Sequence, residues 1–165
     1  MTLGTPGARA ARPLAAASSA RTARVAQATI PALPGTPLLL AGAFARLPAH
    51  AVAGAIASGL CAGGWLDLDV GMLAEQLEVP DFDSRLRRAR AVVIAQRCLA
   101  AAGLQGTPAF EIATRARQAG VPCFAVTARN GLNAFDARML DLQVVLEAGT
   151  RAALSGAGRA LAAVL

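Results

Sequence analysis

Residues 90–128, RAVVIAQRCLAAAGLQGTPAFEIATRARQAGVPCFAVTA, constrain the fold of this chain more than any other stretch. Residues 91–95 form a short apolar, β-branched run of the kind that a sheet buries on both faces, and residues 121–127 form a second, entered through Gly-Val-Pro. Between them lies a helix with both ends marked. Thr107 can cap it, Pro108 suits the first helical position, Glu111 lies near the positive end of the dipole, and Gly120 can close the far end in a left-handed conformation. A parallel strand, helix, strand crossover is the simplest structure that uses every one of these signals.

The flanking chain extends this pattern. Residues 38–43 read as a first buried strand, followed by a helix over 48–62 in which Val52, Ile56 and Leu60 recur at a spacing of four. Leu66, Val70, Leu73 and Leu77 predict a second amphipathic helix over 66–79, ended by Pro80. Residues 128–139 are polar and turn-rich, with a possible helical turn at 134–139, and 142–146 read as a further strand. Thr150 can cap a last helix with Leu154, Ala157, Leu161 and Val164 on one face. Gly156 and Gly158 should each cost that helix about 1 kcal/mol against alanine, so it needs docking against the sheet. The expectation is an α/β fold: one three-layer Rossmann-like domain over residues 38–165, with a mostly parallel sheet and helices on both faces.

Residues 1–37 are rich in Ala, Arg, Ser, Thr and Pro and contain no acid, the composition of a disordered tail. An organellar transit peptide has the same composition, so both readings stand, while no apolar core of secretory length is present. The net charge of +6 divides unevenly. Residues 1–66 hold five arginines and no acid, whereas 67–165 hold eleven arginines and ten acids. A nearly neutral domain argues against nucleic-acid binding, and the tail arginines Arg9, Arg12, Arg21 and Arg24 have no interleaved aromatic for base stacking.

Cys61, Cys98 and Cys123 are far apart, and His50 is the one histidine, so neither a disulfide framework nor a zinc site is read and a cytoplasmic location is expected. The uncharged run 51–66 falls short of the ~20 apolar residues that cross a membrane. His50, with no acid or second histidine nearby, reads as a surface or capping residue. Asp67, Asp69, Glu75, Glu78, Asp81 and Asp83 read as a solvated face paired with Arg85, Arg87, Arg88 and Arg90 rather than as a metal site. Cys98 is placed just past a strand end and reads as an inert thiol. The loop from Gly103 to Gly106 offers backbone N–H groups at a helix start, a possible anion nest.

Two blocks resemble the glycerate kinase family, which phosphorylates glycerate with ATP. LLLAGAFARLPAHAVAGAIASGL, residues 38–60, is similar to that family's opening strand, its PDSFKGSLSA-type loop and the helix after it. Residues 70–165, especially FDSRLRRARAVVIA and GTPAFEIATRARQAGVPCFAVTA, are similar to its closing segment, and the family's long middle segment is absent between the blocks. The resemblance implies ATP and Mg2+ as cofactors and glycerate as substrate. It points to Arg46, Gly106 and Thr107 as phosphate- or substrate-binding residues, Arg46 lying where a lysine is expected and Thr107 standing in a lysine position. The family's TGEGRxD signature is replaced by residues 94–100, Ile-Ala-Gln-Arg-Cys-Leu-Ala, so no residue is assigned a catalytic or metal-binding role. The expectation is a truncated, diverged kinase with lost catalysis. The alternative is a non-catalytic binding or self-assembly domain, the latter a homo-oligomer, using surface that the missing segment exposes.

Overall fold

A computed structural model describes residues 35–101 and 104–165. The tail assigned to residues 1–37 therefore lies outside the described residues up to residue 34. Gly35 to Pro37 already belong to the domain's hydrogen bonding, since Arg90 N donates to Thr36 O and Asp69 N to Pro37 O.

The elements follow in the order β1 (Leu38–Ala41), α1 (Ala49–Ala62), β2 (Asp69–Met72), a single 3₁₀ turn (Gln76–Glu78), α2 (Phe82–Arg88), β3 (Val92–Ala100), α3 (Pro108–Ala119), β4 (Cys123–Gly131), α4 (Ala134–Met139), β5 (Leu142–Glu147) and α5 (Arg151–Ala162). The five strands pair in parallel in the order β2-β1-β3-β4-β5. Every connection between them is thus a crossover, and the helices divide between the two faces. On one face Val52, Ile56 and Leu60 of α1 and Leu154 and Leu161 of α5 are buried against Leu39, Val93 and Val126. On the other, Phe82 and Leu86 of α2 and Ile112 and Ala116 of α3 are buried against Leu38, Leu40 and Ile94. This is the three-layer Rossmann-like α/β fold.

The central crossover forms as its end signals dictate. Thr107 Oγ1 accepts from Phe110 N, Pro108 opens α3, and Gly120 ends it at φ 69°. Thr150 caps α5 by accepting from Ala153 N. α1 and α5 cross through glycine: a Cβ on Gly158 would lie 2.2 Å from Ile56 O, and one on Gly59 2.1 Å from Ser155 O. The glycine that weakens α5 as an isolated helix is therefore what lets its backbone reach α1. Val164, expected on the buried face of this helix, lies beyond it and is exposed.

Residues 66–79 do not form the amphipathic helix that their spacing predicts. Residues 69–72 become β2, hydrogen-bonded through Asp69 N to Pro37 O at one end and Leu73 N to Ala41 O at the other. Leu66 and Val70 stay exposed while Leu73 is buried. Gly71 sits in the middle of the segment, where a helix would lose about 1 kcal/mol, and the open edge of the fully buried β1 supplies hydrogen bonds a helix would forgo. The helix follows instead at α2, with Phe82 and Leu86 buried one turn apart.

β3 and β4 both run longer than the apolar runs that signal them. Their ladder continues through Cys98↔Arg129 to Ala100↔Gly131, whereas β1 stops at Ala41↔Ala95 and β5 at Glu147↔Thr127. Cys98 is accordingly inside β3, not past its end, and it is half-buried.

Candidate functional site

In a doubly wound sheet of order 2-1-3-4-5 the chain reverses its direction of growth between β1 and β3, and ligands settle outside the carboxyl ends of those two strands. Here the crevice opens on Ala41 and Gly42 after β1 and on Ala95 and Gln96 in β3. Gly42 N donates to Ala95 O at 2.8 Å, and Leu73, buried, lies 3.7 Å from where a Gly42 Cβ would stand. The loop after β1 folds into a tight bridge in which Phe44 and Leu47 exchange both backbone hydrogen bonds, with Phe44 buried in the α1–α5 layer. Arg46 sits at the exposed tip of that bridge.

Polar groups at this edge are turned inward. Gln96 Nε2 donates to Cys98 O at 3.1 Å. The fully buried Thr127 hydroxyl lies 3.0 Å from Arg129 O and 3.2 Å from Arg97 O, and accepts from Arg129 N. Glu147 Oε1 accepts from Asn130 N at 2.6 Å, which ties the end of β5 to the extended end of β4. The extension of β3 and β4 is thus held by side chains that a reactive site would need free.

The three residues singled out as phosphate or substrate contacts lie in the loops that follow β1 and β3. Gly106 is exposed at φ 77°, and Thr107 spends its hydroxyl locally, donating to Leu104 O at 2.7 Å and accepting from Phe110 N at 3.3 Å. Both lie in the turn that opens α3, while Arg46 belongs to the loop that opens α1 on the opposite face of the sheet. His50 is exposed in the first turn of α1. Burial pushes the Cys123 thiol up to about 12, with the Asp141 carboxylate adding to the effect, so it remains protonated and unreactive.

The acidic segment is more ordered than a solvated face. Arg85 forks onto Asp69, Nε to Oδ2 at 3.0 Å and Nη2 to Oδ1 at 2.6 Å, and its Nη1 donates to Oε1 of the buried Gln76 at 3.0 Å. The hydrogen bond it donates to Asp69 holds the Arg85 guanidinium above its usual pKa against the opposing effect of burial. Arg90 lies with its guanidinium 4.9 Å from the Trp65 ring centroid and donates to Leu165 O at 2.6 Å. Among the described residues no three acidic, histidine or cysteine side chains gather as metal ligands.

One feature went unread in the sequence. Phe135 and Met139, one turn apart on α4, are 70% and 55% exposed, and they flank a hollow of about 350 Å3 floored by Leu104, Phe110 and Leu140. The signal was an apolar pair at a spacing of four in AFDARM, too short a segment to show a period.

No protein-family model and no curated protein matches this chain. Among solved structures it is similar to a pilus assembly-related protein from Burkholderia pseudomallei, with a TM-score of 0.51 and 17% identity over 80% of this chain and 92% of that one. A flavodiiron protein from Giardia intestinalis matches with a TM-score of 0.49 and 14% identity, and the chain spans 35% of its length. The Burkholderia likeness is one of fold. Among the described residues no helix is long and apolar enough to cross a membrane.

Proposed function

We propose that the domain is a non-catalytic binding module that serves in a protein assembly. The observation that carries this reading is the carboxyl edge of the sheet. At the switch point the side chains are Ala41, Leu73 and Ala95, and the neighbouring Gln96 and Thr127 are committed to backbone carbonyls. Phosphoryl transfer needs cations on the phosphates, a carboxylate-held magnesium and an oriented nucleophile. This edge offers the exposed Arg46, Arg97 and Arg129 and a threonine already used as a helix cap, with the Glu147 carboxylate bonded to Asn130 N. A bare crevice, together with an exposed apolar pair on α4 that lines a separate hollow with α3, favours docking over turnover. The three free cysteines fit a reducing, cytoplasmic setting. The pilus assembly-related description of the Burkholderia neighbour makes components of such an assembly the first partner class to test.

The glycerate kinase reading is the competing proposal, and it makes opposite demands. A coupled ATP-to-ADP assay with D-glycerate and Mg2+ should show no enzyme-dependent turnover, and thermal unfolding with the same ligands should leave Tm where it is, because only a ligand bound by the native state raises stability. Turnover above the blank, or a concentration-dependent rise in Tm, would restore the kinase reading.

A further inference from the structure

The sheet has two edges, and only one of them is guarded. β2 is short, carries Asp69 gripped by Arg85, and has the Gln76 side chain folded over Gly71, so close that a Cβ there would lie 2.4 Å from its Nε2. β5 has none of these devices. Residues 142–146, Leu-Gln-Val-Val-Leu, contain no charge and no proline, and the four apolar side chains, two on each face, remain only half-buried. A strand of this composition with its outer backbone groups unpaired is a template for another strand. Ala148 N donates to Thr127 O, so the alternation of the ladder turns the N–H and C=O of Val145 and Glu147 away from the sheet.

We propose that β5 pairs with β5 of a second copy of this chain, antiparallel about a two-fold axis at Val145. This deepens the assembly reading above and rests on it. Centring on Val145 is the register that pairs the whole span 143–147 with itself, opposing Glu147 to Gln143 of the other copy. Charge selects the antiparallel sense. Glu147 stands at the carboxyl end of β5 and uses one oxygen on Asn130 N. Arg138 is exposed in the last turn of α4 beside the amino end of β5, and its guanidinium has no hydrogen-bond or ion-pair partner among the described residues. An antiparallel pairing brings each copy's Glu147 towards the other's Arg138 and Gln143. A parallel pairing would set like ends together and leave both charges unanswered.

The test is sedimentation velocity of the full chain over a hundredfold range of concentration. The expected result is reversible association to twice the 16.6 kDa chain mass. Arg138→Glu should weaken the dimer at least tenfold, and Arg138→Glu combined with Glu147→Lys should restore it, with circular dichroism confirming that each variant is folded. Should either fold poorly, Gln143→Lys and Gln143→Glu supply the same readout from an exposed position, the first tightening the dimer through Glu147 of the other copy and the second loosening it. A monomer at every concentration, a dimer indifferent to these charges, or a loss that the swap does not restore would overturn the proposal. The assembly reading fails separately, by turnover or a ligand-induced rise in Tm, whatever the mass.

Discussion

Arg85 holds together three pieces of chain that share no local signal: Asp69 at the start of β2, Gln76 in the 3₁₀ turn, and α2 itself. Replacing it with alanine removes a forked ion pair and leaves the Gln76 amide, 6% exposed, short of a partner. Arg85→Ala should therefore cost about 1–3 kcal/mol, read as a lower urea midpoint, and Arg85→Lys should fall between, since an ammonium cannot fork. A change within error would show the network to be ornamental. Thr107 and Thr150 were legible as caps because capping is a contact three residues long. The Arg85 pairing was not, because sixteen residues separate Arg85 from Asp69 and six acids competed for four arginines in the sequence.

Cys123 offers a second residue-scale test. The chain contains neither lysine nor tyrosine, so thiols and the α-amino group are the only groups that titrate between about pH 8 and 12. In the folded protein burial holds the Cys123 thiol up to about 12, whereas in the unfolded chain it ionises near 8.5. Unfolding above pH 8.5 thus releases a proton, and stability falls with rising pH until the folded value is reached. The slope should approach about 1.4 kcal/mol per pH unit and be largely absent from Cys123→Ala. Equal alkaline slopes in the two proteins would contradict the burial argument.

At the scale of elements, α5 separates two roles for glycine within three residues. A Cβ on Gly156 meets only Arg159 Nη2 at 4.0 Å, so Gly156→Ala should raise stability by up to about 1 kcal/mol through helix propensity alone. A Cβ on Gly158 would strike the backbone of α1, so Gly158→Ala should lower stability by about 1–3 kcal/mol despite the same gain in propensity. Denaturant midpoints that moved in the same direction for both would refute the close crossing of α1 and α5. Sequence signals located α1, α3 and α5 because each has an apolar stripe or a marked end, and gave α4 only as a helical turn. Periodicity failed over 66–79 because spacings of four, three and four fit a helix whether or not one forms. The deciding term, hydrogen bonding to the edge of β1, is non-local.

At the scale of the molecule, the fold was legible from one crossover and its caps, whereas the site was not. Arg46, Gly106 and Thr107 were chosen by their place in a resemblance, and the structure sets Arg46 on one side of the sheet and Gly106 and Thr107 on the other. Beside the switch point β3 and β4 continue through residues 96–100 and 127–131, which are too polar to be read as buried strand. The same continuation explains why Gln96 and Thr127 satisfy backbone groups rather than a ligand.

The most direct measurement is a titration of the 15N-labelled full chain with Mg-ATP and D-glycerate, following the backbone amides of Gly42, Arg46, Gln96, Gly106 and Thr107. A domain whose crevice lacks the groups that hold phosphates should leave all five resonances in place up to millimolar ligand. Saturable shifts clustered on these amides would mean that a substrate site survives, and would contradict the non-catalytic account.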